Sequence, residues 1–435
     1  MTRQMRLGVF VQAAGHHVSA WKLPDAESGG ENFDLIRRIA QTAERGRFDL
    51  LFMADGLTSE LDAHPSTIVR LEPLALLSAL AMTTTHLGLA STASTTYSEP
   101  FHIARVFASL DHLSHGRAAW NVVTTSYARS AANFNRGSHP EHDLRYEIAD
   151  EFVEICKGLW DSWSDGAFVQ NKATGVFADP ARMHVLDHKG THFSVKGPLN
   201  VSRPPQGHPV IIQAGSSEPG QELAAKSADI VFTAQGDLVE GQEFYRSLKS
   251  KLAKNGRQPE SLHVMPGVFP IIGRDRTEAD AHYRRLLELT DLPGALALLS
   301  DRLGHDMRKY ELDGPLPDLP LSDQLRSRAE LLTALARREN LTVRQLALHA
   351  GMARGHRVIQ GDPVQIADQL EEWFVGGAAD GFNIMPPWFP TQFDLFVDHV
   401  VPELQRRGLF RREYEGTTLR ENLGLARPPN RFEAG

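Results

Sequence analysis

Eight short apolar runs recur along the chain, and longer amphipathic stretches separate most of them. This alternation constrains the fold more than any other feature. The runs lie at 7–11, 48–53, 87–90, 118–123, 210–213, 230–232, 263–272 and 381–385. They are almost continuously apolar, which suits strands covered on both faces, as in a parallel sheet. Residues 32–45 place Phe33, Ile36, Ile39 and Ala40 at helical spacing. The stretches 71–82, 102–113, 145–163, 219–227, 241–255, 279–289, 362–373 and 393–406 also read as helices. Strands alternating with helices predict an α/β fold with a parallel sheet. Periodicity alone does not separate a closed TIM-type (β/α)₈ barrel from a doubly wound open sheet.

The alternation pauses twice. Residues 164–209, after the fourth strand, are rich in Gly, Pro, His and Asp, with a small hairpin expected near 183–186 and 191–195. Residues 291–360, after the seventh, are mostly helical in character and broken by prolines at 315–320. A length of 435 residues would allow two or three domains, but one barrel with insertions also reaches it. The expectation is one domain over 1–435 with two insertions and a surface tail at 427–435.

With 41% hydrophobic and 23% charged residues, the chain can bury a large core. A net charge of −8 gives no reason to expect nucleic acid or an anionic membrane as partner, and leaves an anionic substrate open. The single cysteine, Cys156, rules out an internal disulfide and a Cys-based metal site. The N-terminus runs into the first strand without signal-peptide features, and no run of ~18 apolar residues occurs, so a cytoplasmic location is expected.

In such folds ligands bind at the C-terminal ends of the strands. There this sequence places His16 and His17, then Asp55, the run Ser94-Thr95-Thr96-Tyr97, Asn121, and Gly215-Ser216-Ser217-Glu218. Gly215 permits a tight turn, Ser216 or Ser217 can cap the next helix, and the free N–H groups of that terminus suit a phosphate. A plain helix cap explains the same residues without a ligand. His142 and Tyr146 share one face at a helix start, whether lining a pocket or facing solvent. Asn121, an amide within an apolar strand, needs partners that a ligand or neighbouring backbone can provide. The histidines show no H-x-H or H-E-x-x-H spacing, so no metal is expected. The G-x-S-x-G elbow, the Gly-rich phosphate loop and the dinucleotide fingerprint are absent.

Six segments in order carry a family resemblance: Gly15-His16-His17 with Ala20-Trp21; Phe52-Met53-Ala54-Asp55; Ser94-Thr95-Thr96-Tyr97; Ala119 to Thr124; His142-Asp143-Leu144-Arg145-Tyr146; and Gln213 to Glu218. They span roughly 6–235, with weaker similarity through Gly381-Phe382-Asn383. The chain resembles the nitrilotriacetate monooxygenase family, a branch of the luciferase-like flavin proteins related to the dibenzothiophene sulfone and long-chain alkane monooxygenases.

The resemblance implies a (β/α)₈ barrel carrying FMN across its C-terminal mouth, with reduced FMN supplied by a separate NADH-dependent flavin reductase. It implies flavin contacts from Asp55, Ser94, Thr95, Asn121, His142 and Tyr146, and phosphate contacts from Ser216 and Ser217. Reduced FMN and O₂ would form a flavin (hydro)peroxide that oxygenates a small organic substrate and must be shielded from water. The 291–360 insertion is the expected lid, His16 or His17 the expected proton donor, and Phe10, Phe52 and Trp388 an apolar substrate wall. A homodimer or homotetramer is expected. A deazaflavin-dependent oxidoreductase on the same barrel and a non-catalytic flavin-binding protein are the alternatives.

Overall fold

The computed structural model describes residues 3–27, 29–59, 64–135, 137–320 and 326–433. Eight parallel strands form the barrel: β1 (Arg6–Phe10), β2 (Leu50–Met53), β3 (Gly88–Ser94), β4 (Ala118–Val123), β5 (Val210–Gln213), β6 (Ile230–Thr233), β7 (His263–Ile272) and, after one further strand, β9 (Gly381–Ile384). The further strand is β8 (Arg357–Gly361). Each barrel strand pairs with the next, β7 pairs with both β6 and β9, and β9 pairs with β1 through Arg6↔Gly381 and Gly8↔Asn383. That last pairing closes the ring and decides between barrel and open sheet.

Side chains alternate across the closed sheet, as the two-residue period requires. Leu50, Phe52, Ala90, Ala119, Ile212 and Phe232 turn inward and form one interior cluster with Phe10, Met265 and Met385. Leu7, Val9, Leu51 and Leu89 turn outward against Leu35, Ile39 and Leu77 of the helical shell. Trp120 turns outward too, packed on Phe107, Phe152 and Trp160. With apolar residues on both faces, the strands carry the continuous apolar runs visible in the sequence. The close approach of β9 to β1 needs a glycine: a Cβ at Gly381 would lie 1.9 Å from the Arg6 carbonyl oxygen.

The 291–360 region holds helices and one strand that the sequence did not reveal. It holds α8 (Leu292–Leu303), α9 (Arg326–Arg338) and α10 (Val343–Ala353), packed on one another through Leu299, Leu303, Leu332, Leu346 and Ala350. It then ends in β8, which pairs with Val268–Ile272 of the long β7, beyond the residues that meet β6. Only Val358 and Ile359 are apolar in Arg-Val-Ile-Gln-Gly, too short a run to register as a strand. The 164–209 insertion contains its hairpin at His188–Lys189 and Ser194–Val195, a few residues later than expected for the first arm.

Leu419, Leu423 and Leu425 join the interior cluster from below. Arg420 donates to Asp229, just before β6, at 2.7 and 3.0 Å, so this segment caps the N-terminal end of the barrel and leaves the opposite end for the site. The tail at 427–433 runs over the surface and is tied down by Arg427 to Asp165 and by the buried Asn430 to the Asp161 carbonyl. No helix among the described residues is long and apolar enough to cross a membrane.

Candidate active site

A cavity of about 370 Å³ opens at the C-terminal ends of the strands. Asp55, Ser94, Asn121, His142, Tyr146, Ser216 and Ser217 all line it, as do Phe10 and Phe52. They converge because β1 to β6 end around one mouth, and because α4 (His142–Trp160) begins beside it.

Two polar groups inside it are unusual. Asn121 is 3 % exposed; its Nδ2 donates to Thr92 Oγ1 at 2.8 Å, while its Oδ1 is buried with no partner among the described residues. Gln213, at the end of β5, is equally buried and its Oε1 is also unpartnered. Each such acceptor costs about 1–3 kcal/mol unless something bonds to it. Both face a cavity whose floor carries Phe10, Phe52 and Phe232, with ring centroids 4.9–5.6 Å apart.

At the other side, β5 runs into α5 (Glu218–Ser227), with Ser217 as its N-cap, and Gly215, Ser216 and Ser217 line the cavity. Space there is tight: a Cβ at Gly215 would sit 3.0 Å from Tyr146 Oη and 3.2 Å from Gly220 Cα. Pro219 carries no N–H and that of Gly220 donates to Ser217 Oγ at 3.4 Å, so the terminus offers an anion the Ser216 and Ser217 groups beside the cavity and the positive end of the helix. Arg145 adds positive charge nearby, its Nη1 donating to the Thr125 carbonyl at 2.8 Å. The arrangement fits a flat, partly apolar ligand with N–H or O–H donors along its length and an anionic end.

Four expected residues stand elsewhere. Thr95 is fully buried, its N–H and hydroxyl both turned to the Val123 carbonyl. Trp388 is packed in core with Leu23 and Phe269, its Nε1 donating to Asp25 at 2.8 Å. His16 does not line the cavity: Nε2 donates to the Phe10 carbonyl at 2.8 Å, and Nδ1 accepts from Arg354 at 3.0 Å. Burial and then the Arg354 charge hold its pKa well below 6.5. His17 is engaged too, accepting from the Ser19 N–H at 3.1 Å and meeting Thr290 Oγ1 at 3.0 Å, and burial lowers its pKa to about 4. Both rings are therefore neutral fixtures of the loop after β1. Sequence reasoning passed over Gln213, Arg302, Arg354 and His356, which line the cavity. Gln213 had a signal, a polar residue closing an apolar strand; the other three lie in the insertion, where no strand end marked them.

Comparison with known proteins follows the same outline. The profile of luciferase-like monooxygenases matches residues 5–380. The chain belongs to the luciferase-like monooxygenase family. Within it, the chain is 54% identical to N-acetyl-S-(2-succino)cysteine monooxygenase of Bacillus subtilis (strain 168), over 99% of this chain and 98% of that one. It is 48% identical to nitrilotriacetate monooxygenase component A of Aminobacter aminovorans, over 98% of each. The crystal structure of riboflavin lyase with modified FMN and riboflavin superposes with a TM-score of 0.86 at 32% identity, covering 97% of this chain and 96% of the other.

Proposed function

We propose that this luciferase-like monooxygenase is the oxygenase component of a two-component system, using reduced FMN and O₂ to oxygenate a small organic molecule. The observation that carries the reading is the mouth cavity, which gathers seven of the eight residues expected to hold flavin and in which the buried amide oxygens of Asn121 and Gln213 have no donor among the described residues. Ser216, Ser217 and the positive end of α5 would hold the phosphate. Asn121 and Gln213 would accept from the ring and ribityl donors, and Phe10, Phe52 and Phe232 would pack beside the apolar part of the ring.

Reduced FMN, when bound, supplies the two electrons that let one oxygen atom enter the substrate while the other leaves as water. The chain's own residues orient, shield and manage protons. Neither His16 nor His17 moves a proton in this reading; His16 positions Arg354, whose guanidinium lies 5.5 Å from the Phe10 ring centroid. Asp55 is the better-placed acid. It borders the cavity, and burial raises its pKa against the opposing pull of Arg70, 3.7 Å away. The helix α8 supplies Arg302 to the cavity wall and would exclude water.

The curated relative named component A supports a separate NADH-dependent flavin reductase as partner. A homodimer or homotetramer in the cytoplasm remains part of the proposal. The test is the purified chain with a flavin reductase, NADH, FMN and ¹⁸O₂, scored by product mass. One ¹⁸O atom in the product and loss of FMN binding in Ser217→Tyr are expected. NADH consumption that yields only H₂O₂ across a broad substrate panel would overturn it in favour of a flavin carrier. A preference for deazaflavin over FMN in binding titrations would replace the cofactor.

A further inference from the structure

The insertion after β4 carries an arm with no core of its own. Residues 169–177 are exposed without interruption. Their backbone is nonetheless set. Gln170 N–H donates to the Phe177 carbonyl at 2.9 Å and Asn171 N–H to the Val176 carbonyl at 2.8 Å. Asn171 Oδ1 accepts from the N–H groups of Ala173 and Thr174 at 2.9 and 3.1 Å. A two-stranded turn of this kind is marginal in water unless it packs on something. The large side chains it presents are apolar: Phe177 is 65 % exposed, Val169 48 % and Val176 44 %.

These side chains continue into a ridge. Phe177 meets Phe168 with ring centroids 5.9 Å apart, and Phe168 meets Trp163 at 4.7 Å. Trp163 pairs through its backbone with Met183, and the His184 ring stacks on Phe432 of the tail at 4.8 Å. Met183, Val185 and Phe432 are exposed as well. A connected apolar surface rich in aromatic residues and Met marks a contact with another protein. Its position argues against a partner that delivers flavin or substrate. The helix α4 begins at the mouth with His142 and runs 19 residues, about 28 Å, to Trp160. Trp163 follows that far end, where Asn430 ties down the tail through the Asp161 carbonyl.

The charges of the ridge favour a second copy of this chain. Within residues 163–185 and 430–433, Lys172, Arg182 and Arg431 are balanced by Asp165, Asp179 and Glu433, although the whole chain carries −8. A two-fold contact sets a patch against itself, so a patch of one sign would repel its copy and a balanced one does not. The two segments are also of the size that a stable contact takes from each side, about 20–30 residues. We propose that this ridge is an isologous interface between two copies of the chain, with Phe177 of each packed on the other. The proposal rests on the homo-oligomer of the functional reading and gives that assembly its surface, leaving both barrel mouths open.

The experiment is analytical ultracentrifugation of the purified full chain at micromolar concentrations and below. The parent is expected to sediment as two or four chains, and Phe177→Asp at half the parent's mass. Each two-fold contact carries that substitution twice, so its dissociation constant rises on the order of 100-fold or more. Phe177 is mostly exposed in the single chain, so the variant keeps the parent's circular-dichroism spectrum. Val375→Asp, at an exposed valine ending the helix Pro363–Val375, keeps the parent's mass. An assembled parent whose mass survives in Phe177→Asp would overturn the surface and leave the homo-oligomer standing. A parent that sediments as one chain throughout would overturn both. Halving by Val375→Asp as well would reduce the effect to added charge and overturn the assignment. Retained mass with loss of reductase-coupled turnover in Phe177→Asp would give the ridge to the reductase instead.

Discussion

Replacing Asn121 by leucine should move stability and cofactor affinity in opposite directions. In the flavin-free protein Asn121 Oδ1 is buried without a donor, a state that costs about 1–3 kcal/mol. Its one bond, Nδ2 to Thr92 Oγ1 at 2.8 Å, is worth about 1 kcal/mol, and Thr92 keeps its own bond to the Met53 carbonyl. Leucine has the same branched heavy-atom skeleton without polar atoms, and the cavity that Asn121 borders takes its larger volume, so Asn121→Leu leaves the flavin-free protein between unchanged and about 2 kcal/mol more stable. With flavin the sign reverses. A donor on the cofactor that would have met Oδ1 is now buried unpaired, again about 1–3 kcal/mol, which is roughly a 5- to 150-fold weaker Kd. Thermal unfolding without flavin and fluorescence-quench titration with FMN read the two effects separately. A melting temperature several degrees lower with unchanged FMN affinity would refute the reasoning, because it would make Asn121 a core amide that the fold needs.

Two further outcomes follow from buried charge. His17 and His64 have pKa values lowered by burial to about 4 and about 3, so the folded rings stay neutral where the unfolded rings, near 6.5, take up protons. Stability is therefore complete above pH 6.5 and falls as pH drops towards about 4 for His17 and about 3 for His64, by about 3 kcal/mol for His17 alone at ~1.4 kcal/mol per pH unit. Urea unfolding at pH 7.5, 6 and 5 should show that slope and a shallower one in His17→Gln; equal slopes would contradict it. Arg420→Met strands Asp229, which Arg420 meets at 2.7 Å in the barrel base, and should destabilise by about 3–5 kcal/mol. The double variant with Asp229→Asn should recover part of that loss, and an undiminished deficit there would mean that packing of the arginine stem dominates.

How far the fold could be read from residues alone depended on which side of the sheet each residue served. Strands buried on both faces left contiguous apolar runs, so all eight barrel strands were legible, and the helices appeared through their spacing. Closure was not, because the pairing of β9 with β1 joins residues 6–10 to residues 381–384 and leaves no local trace. β8 was lost for the opposite reason: it is half-buried and carries Arg357 and Gln360 among its five residues. The candidate site was legible near strand ends, since a polar residue within or just beyond an apolar strand, such as Asn121 or Asp55, violates the local pattern and needs an explanation. His16 and His17 violate it as visibly, yet their ring atoms are satisfied by the Phe10 carbonyl, Arg354, Ser19 and Thr290. Polarity at a strand end therefore marks a residue that must be bonded, and only the three-dimensional partner count separates a bond to the fold from one awaiting a ligand. Arg302 shows the converse: an arginine in an amphipathic helix reads as solvated surface, and only the fold shows it lining the cavity with its Nε buried and without an acceptor among the described residues.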